Sequence, residues 1–164
     1  MTKFGFTGTR ELPTRAALES FALKLCDLAD EAFTEAEGIN DGIARRVEWH
    51  YGMCVGADML AAELADSAGF WLVGHPPTNR KLIALRPKPH DQMPPLPYLE
   101  RNKAIVQNAQ ALIAMPRTTD EELRSGTWST IRYARRIKRP VLIVRPDGSL
   151  FYERWLEKGR RLDD

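Results

Sequence analysis

The segment Arg124-Ser125-Gly126-Thr127-Trp128-Ser129-Thr130-Ile131-Arg132-Tyr133-Ala134 decides the fold. An apolar run, Ala111 to Met115, and a polar loop, Arg117 to Glu122, precede it, and a second apolar run, Val141 to Val144, follows. That order reads as strand, loop, helix, strand, the repeating unit of a parallel α/β sheet. Ser125, Gly126 and Thr127 open the helix with hydroxyls and unencumbered backbone, where the first helical N–H groups have no intrahelical partner. Such an end attracts anions, phosphate first among them, because the free N–H donors and the positive end of the helix dipole point the same way. Two roles are open to these residues: a cap that only satisfies the helix end, and a ligand site.

The same arrangement recurs toward the N-terminus. A short strand, Lys3 to Phe6, runs into Thr7-Gly8-Thr9-Arg10, and Pro13 suits the first turn of a helix carrying Leu18, Phe21, Leu25, Leu28 and Ala32 at helical spacing. Thr7, Gly8 and Thr9 can offer hydroxyls and N–H groups to a phosphate that Arg10 neutralises, although a tight turn needs a glycine in any case. Gly38 to Gly42, with Asn40 and Asp41, reads as a surface connection. Val47 to Tyr51 is the next strand, followed by a loop from Gly52 through Gly56 to Asp58 and a helix through Met59, Leu60, Ala61, Leu64 and Ala65. Asp58 serves either a ribose hydroxyl or backbone donors, or is a first-turn acid that favours the helix dipole. Cys54 has no cation beside it in sequence to lower its thiol pKa, and reads as a small loop residue.

Phe70 to Val73 forms a further strand, after which prolines at 76, 77, 87, 89, 94, 95 and 97 obstruct regular structure across residues 75–97. That loop either covers a ligand site with Arg80, Lys81 and Arg86 or is a surface insertion. Tyr98 to Asn108 is helical, with Arg101 and Asn102 near its start. Residues 149–164, with Phe151, Tyr152, Trp155 and Leu156, read as a terminal helical extension packed on the body or on another subunit. Arg132, Arg135, Arg136, Lys138 and Arg139 suit the C-terminal end of the organising helix, a solvated surface more readily than a nucleic-acid contact. The expectation is a Rossmann-like three-layer α/β domain with a mainly parallel five-stranded sheet, and a ligand crevice outside the C-terminal ends of its strands.

Composition narrows the class. A chain of 164 residues with 43% apolar and 28% charged residues suits one domain over 1–164. No apolar run reaches the roughly 20 residues that span a bilayer, so a cytoplasmic protein is expected. Cys26 and Cys54 form no C-x-x-C pair, consistent with a reduced compartment. His50, His75 and His90 are scattered, and neither a metal nor a cofactor is expected. A net charge of +2 is too small to imply a polyanion by itself.

Thr7-Gly8-Thr9-Arg10, His50 to Asp58, Gly74-His75-Pro76-Pro77, Arg101-Asn102 and Glu122 to Ala134 together resemble the small members of the SLOG superfamily. That superfamily joins the Rossmann-like domain of DNA-processing protein A (Smf) with the Lonely Guy phosphoribohydrolases. The resemblance runs from about Phe4 to Pro146. Arg101-Asn102-Lys103-Ala104-Ile105-Val106 and Ser125-Gly126-Thr127 are similar to the Arg-Asn-Arg-Ile-Ile and Ser-Gly-Ser/Thr segments of the DNA-processing protein. Of the Lonely Guy segment Pro-Gly-Gly-x-Gly-Thr-x-x-Glu the chain keeps Gly126 and Thr127, and the glutamate falls on Thr130. Met53 stands where relatives in the small group carry aspartate.

Three functions compete. The first is binding of a nucleotide or nucleotide-derived ligand, with Thr7, Gly8, Thr9, Arg10, Gly56, Asp58, Arg117, Ser125, Gly126 and Thr127 as ligand-binding residues. The second, implied by the Lonely Guy resemblance, is an N-glycosidic hydrolase of nucleoside monophosphates, with Arg101 stabilising the substrate and Glu122 or Asp58 assisting departure of the base. The third is DNA binding, as the other branch implies. The expected partners are thus a nucleotide-like small molecule and a second copy of the chain in a homodimer or higher oligomer. The oligomer rests on the habit of related Rossmann-like proteins and on the apolar surface expected at Trp155.

Overall fold

A strand covered by helices on both faces must be apolar at every position, and the two runs that frame Arg124 to Ala134 meet that condition. These are β5 (Ala111–Met115) and β6 (Val141–Val144), both buried throughout. The computed structural model describes residues 1–39, 45–157 and 160–162, so of the connection expected at Gly38 to Gly42 all but Gly38 and Ile39 lies outside the described residues. β1 (Lys3–Gly8), β2 (Glu48–Tyr51) and β3 (Trp71–Gly74) complete the strands expected from the sequence. Two more extend the sheet: β4 (Asp91–Gln92) and β7 (Leu150–Glu153). The order is β4-β3-β2-β1-β5-β6-β7, parallel except for β7, which runs antiparallel to β6.

The sheet therefore has seven strands rather than five, and each addition has a physical cause. The Asp91 carboxylate accepts from Trp71 Nε1 at 2.8 Å and from Arg46 at 3.3 Å, which fastens β4 beside β3. Two residues among prolines carry no periodicity that would announce such a strand. β7 replaces the first part of the expected helical extension. Its Leu150 and Tyr152 pack against the core on one face of the sheet and its Phe151 against the core on the other, the period-2 alternation of a strand. Past Arg154 the chain forms a short antiparallel hairpin, β8 (Trp155–Glu157) and β9 (Arg160–Leu162), again not a helix. Trp155 is buried, its ring edge-on to Tyr152 at 6.1 Å, so it offers no surface for self-association.

Among the described residues, four α-helices make the outer layers. α1 (Arg15–Glu37) and α2 (Ala57–Ser67) cover one face over Phe6, Trp49 and Ile113. α3 (Tyr98–Asn108) and α4 (Gly126–Arg136) cover the other over Leu112, Ala114 and Ile143. α1 begins after Pro13 rather than on it: Thr14 is the cap, accepting from the Ala17 N–H at 3.1 Å. Residues 75–97 are more ordered than their prolines suggest, with a 3₁₀ turn at Arg80–Leu82, β4, and bridges from Cys54 to Ile83 and from Pro77 to Leu96. None of the described helices is long and apolar enough to cross a membrane.

Candidate ligand cleft

β1 hands the chain to α1 on one face and its neighbour β5 hands it to α4 on the other, so the connections diverge and leave a crevice at this switch point. The crevice is a cleft of about 420 Å³. Gly8, Thr9 and Arg10 line one wall, and Ser125, Gly126 and Thr127 the other. Arg101 and Asn102 reach it from α3, while Thr7, Asp58, Arg117 and Glu122 complete the set of expected residues that the fold gathers here. Gly56 is not among them. With φ of 90° and the Arg10 carbonyl oxygen 2.4 Å from where a Cβ would stand, it serves the packing of the 9–10 loop against α2. Arg80, Lys81 and Arg86 do not line the cleft.

The helix end is capped and also leaves free donors. Ser125 Oγ accepts from the Trp128 N–H at 3.2 Å, a cap, while the N–H groups of Gly126 and Thr127 sit in the first turn, where no intrahelical acceptor exists. A Cβ built on Gly126 meets nothing within 4 Å. By contrast, a Cβ on Gly8 would stand 2.7 Å from that of Ala57, so Gly8 is required by packing. On the opposite wall the Thr9 N–H is spent on the Met115 carbonyl at 3.0 Å, and the Thr9 hydroxyl accepts from the Glu11 N–H at 3.2 Å. The Arg10 guanidinium lies over the Tyr98 ring, 4.6 Å from its centroid.

Arg101 and Asp58 line the cleft but direct most of their polar atoms into the protein. The Asp58 carboxylate accepts from the N–H groups of Gly52 at 3.2 Å and Cys54 at 2.9 Å. Burial pushes its pKa up, opposed by those N–H groups and by Arg101. Arg101, also buried, donates to the Gly52 carbonyl, to the His75 carbonyl at 3.2 Å and to Asn102 Oδ1 at 2.8 Å. Gly52 is a glycine for this reason: a Cβ there would stand 2.5 Å from an Arg101 nitrogen. The guanidinium also lies 3.5 Å from Cys54 Sγ. The fold thus supplies the cation that sequence neighbours lack, yet burial outweighs it and the thiol pKa is raised. Glu122 is engaged as well, bonded to Arg117 at 2.8 Å and to the Thr118 hydroxyl at 2.8 Å.

Behind the 52–54 loop, two histidines far apart in sequence meet. His50 Nδ1 lies 2.9 Å from His75 Nε2, and His50 Nε2 lies 2.8 Å from Glu48. Among the described residues no group of three or more His, Cys, Asp or Glu side chains is arranged to hold a metal. Burial lowers both pKa values, that of His75 to about 3, with His50 and Arg101 adding to the effect. In the unfolded chain both histidines titrate near 6.5, so between about pH 6.5 and 3 the unfolded state binds more protons and stability falls as pH drops. His75 alone contributes a slope of about 1.4 kcal/mol per pH unit. Asp58, with its folded pKa raised, contributes the opposite slope above its unfolded value, so the histidine effect is isolated over pH 6.5 to 5 by comparing two proteins that both keep Asp58. Urea melts across that range are expected to lose stability in the parent and less in His75→Gln; parallel profiles would refute the assignment.

Sequence reasoning did not single out Arg124, which lines the cleft beside the α4 cap. Its position next to Ser125 was the available signal. The sequence matches no protein-family profile and no curated protein. Solved structures do match the fold. The molybdenum cofactor binding protein from the phototrophic bacterium Rippkaea orientalis has a TM-score of 0.60 at 20% identity, over 85% of this chain and 74% of that one. DNA processing protein A from Helicobacter pylori, whose structure concerns single-stranded DNA binding, has a TM-score of 0.56 at 18% identity, over 86% of this chain. The Streptococcus pneumoniae DNA processing protein A has 0.59 at 16% identity, over 87%. The chain spans only 64% and 50% of those two proteins. At such identities the likeness is one of fold, a Rossmann-like α/β domain with a mainly parallel sheet.

Proposed function

We propose that this chain binds a nucleotide or nucleotide-derived ligand in the cleft, with a phosphate at the N-terminus of α4 and Arg10 and Arg124 as its counter-charges. The observation that carries the reading is Gly126. Its backbone needs no glycine and its missing side chain leaves open space, at a helix start whose N–H groups face an anion's natural seat. The solved structures of similar fold include one protein named for a bound cofactor and one described with single-stranded DNA, which fits a ligand of this kind. Mass spectrometry of small molecules released on denaturing the purified protein is expected to find a phosphate-bearing nucleotide or derivative. Calorimetry with the common nucleotides then measures its affinity. No released nucleotide and no binding heat would overturn the reading.

Hydrolysis of the glycosidic bond is the weaker alternative. Both Asp58 oxygens accept backbone N–H groups, Glu122 is paired with Arg117, and Thr130, where the Lonely Guy glutamate would fall, donates its hydroxyl to the Gly126 carbonyl at 2.8 Å. A positioned acid or base contributes about 10² to 10⁴-fold; Asp58 and Glu122 are both committed to other partners, and Glu11, which also lines the cleft, has no side-chain bond among the described residues to orient it for that role. Release of free base from the common nucleoside monophosphates, followed by chromatography, is therefore expected to be absent or slow. Robust turnover lost in Glu122→Gln or Asp58→Asn would reverse this conclusion.

A further inference from the structure

We propose that the groove between α3 and α4 is a second anion subsite continuous with the cleft, so that the ligand carries at least two phosphate groups. The inference rests on the cleft reading above and adds the size and charge of the ligand. The groove encloses about 370 Å³ and is lined by Lys103, Arg132 and Arg136 with no acidic residue. Asn102 lines both the groove and the cleft, so the two spaces adjoin. Ser129 and Thr130 line the groove about one helical turn, roughly 5.4 Å, beyond Gly126. A ligand seated at the helix start therefore meets the groove as it extends along the same helix.

The cations of α4 fall into two kinds. Arg135 is neutralised by Glu153 and Glu121, and Arg132 is held by Glu121 and by the carbonyls of Glu122 and Leu123. Lys103 and Arg136 differ: each lies over the Tyr133 ring, 5.7 and 5.2 Å from its centroid, and neither has a carboxylate partner among the described residues. The Tyr133 ring is fixed by a 2.7 Å bond from Gln107 to its hydroxyl. A helix dipole accounts for Arg136, in the last turn of α4, but not for Lys103, which lies in the middle of α3. Two like charges against one ring, lining a groove without an acid, are complementary to an anion, and a phosphate supplies the charge and the acceptor oxygens to meet them.

The test compares 5′-phosphorylated mononucleotides with 5′-phosphorylated dinucleotides, each as an equimolar four-base mixture, by calorimetry on the parent and on Lys103→Ala/Arg136→Ala. The dinucleotide is expected to bind the parent about tenfold or more tightly. Its dependence of log K on log salt should be steeper by about 0.7, the increment for one further phosphate on a single strand. The double variant, both of whose changes lie at exposed positions, is expected to melt like the parent and bind mononucleotide equally well, but to lose the dinucleotide gain. A 5′-phosphorylated decamer separates the sources of the second phosphate. Affinity equal to the dinucleotide's supports a small ligand, a further gain supports the end of a strand, and both support the subsite. Equal affinity of mono- and dinucleotide in the parent, or a gain that survives in the double variant, overturns the subsite and leaves the cleft reading standing. Failure of both probes to bind the parent overturns the two together.

Discussion

Gly126→Asp is expected to abolish nucleotide binding, with at least a hundredfold loss of affinity, while the protein melts cooperatively at an unchanged or slightly higher temperature. The two halves of this expectation have separate causes. Space is open around the absent Cβ and the backbone is not in the left-handed region, so the side chain enters without collision. An acid in the first turn of a helix is favourable by about 0.3–1 kcal/mol, and leaving glycine adds to that. The same carboxylate occupies the seat offered to the ligand's phosphate and repels its charge, and a hundredfold corresponds to about 2.7 kcal/mol. Gly126→Ala separates bulk from charge: it should weaken binding less while stabilising the helix by up to about 1 kcal/mol. Calorimetry alongside a thermal melt decides the matter, and undiminished affinity in Gly126→Asp would move the ligand elsewhere.

Asp58→Ala is expected to act on stability first. Its carboxylate satisfies the N–H groups of Gly52 and Cys54, and the loop between them holds Met53 at φ of 56°, a conformation that side-chain-bearing residues adopt uncommonly. Removing the acceptor leaves two buried donors unpaired and takes away the carboxyl group that interacts with the buried Arg101. The cost should be about 2–4 kcal/mol, or roughly 5–15 °C in Tm for a domain of this size. Asp58→Asn keeps one acceptor oxygen and should lie between. A melt of Asp58→Ala that matches the parent's would show that the residue does not hold this loop and would return it to the list of ligand contacts.

Of the five interior strands, β5 and β6 were the most legible, because burial on both faces demands the unbroken apolar runs seen in Ala111 to Met115 and Val141 to Val144. The gathering of Thr7 to Arg10 and Ser125 to Thr127 at one place was legible too, since parallel strands deliver their C-terminal ends to the same side. What the sequence concealed lay in pairings across distance. Arg101 stands 49 residues from the carbonyl of Gly52 to which it donates, and nothing local distinguishes a guanidinium that staples a loop from one that awaits a ligand. His50 and His75, remote in sequence, form one hydrogen-bonded pair because β2 and β3 are neighbours in register. β7 was misread because Phe151, Tyr152 and Trp155 fit a helical face as well as a strand, and only the adjacent β6 discriminates between them.

β7 also determines how far the chain can be shortened. Without it, β6, four apolar residues with every side chain buried, would become the rim of the sheet, and an unpaired apolar strand is a template for edge-to-edge aggregation. The cover is sewn down from the opposite end of the sequence, where Ser20 donates to the Gly148 carbonyl at 2.6 Å and Thr14 to the Pro146 carbonyl, and from α4, where Arg135 grips Glu153 with two nitrogens. At the other rim β4 is only two residues long, too short to recruit a strand. A trimmed domain must therefore run through Trp155; one cut after Val144 would keep every residue of the cleft and still precipitate.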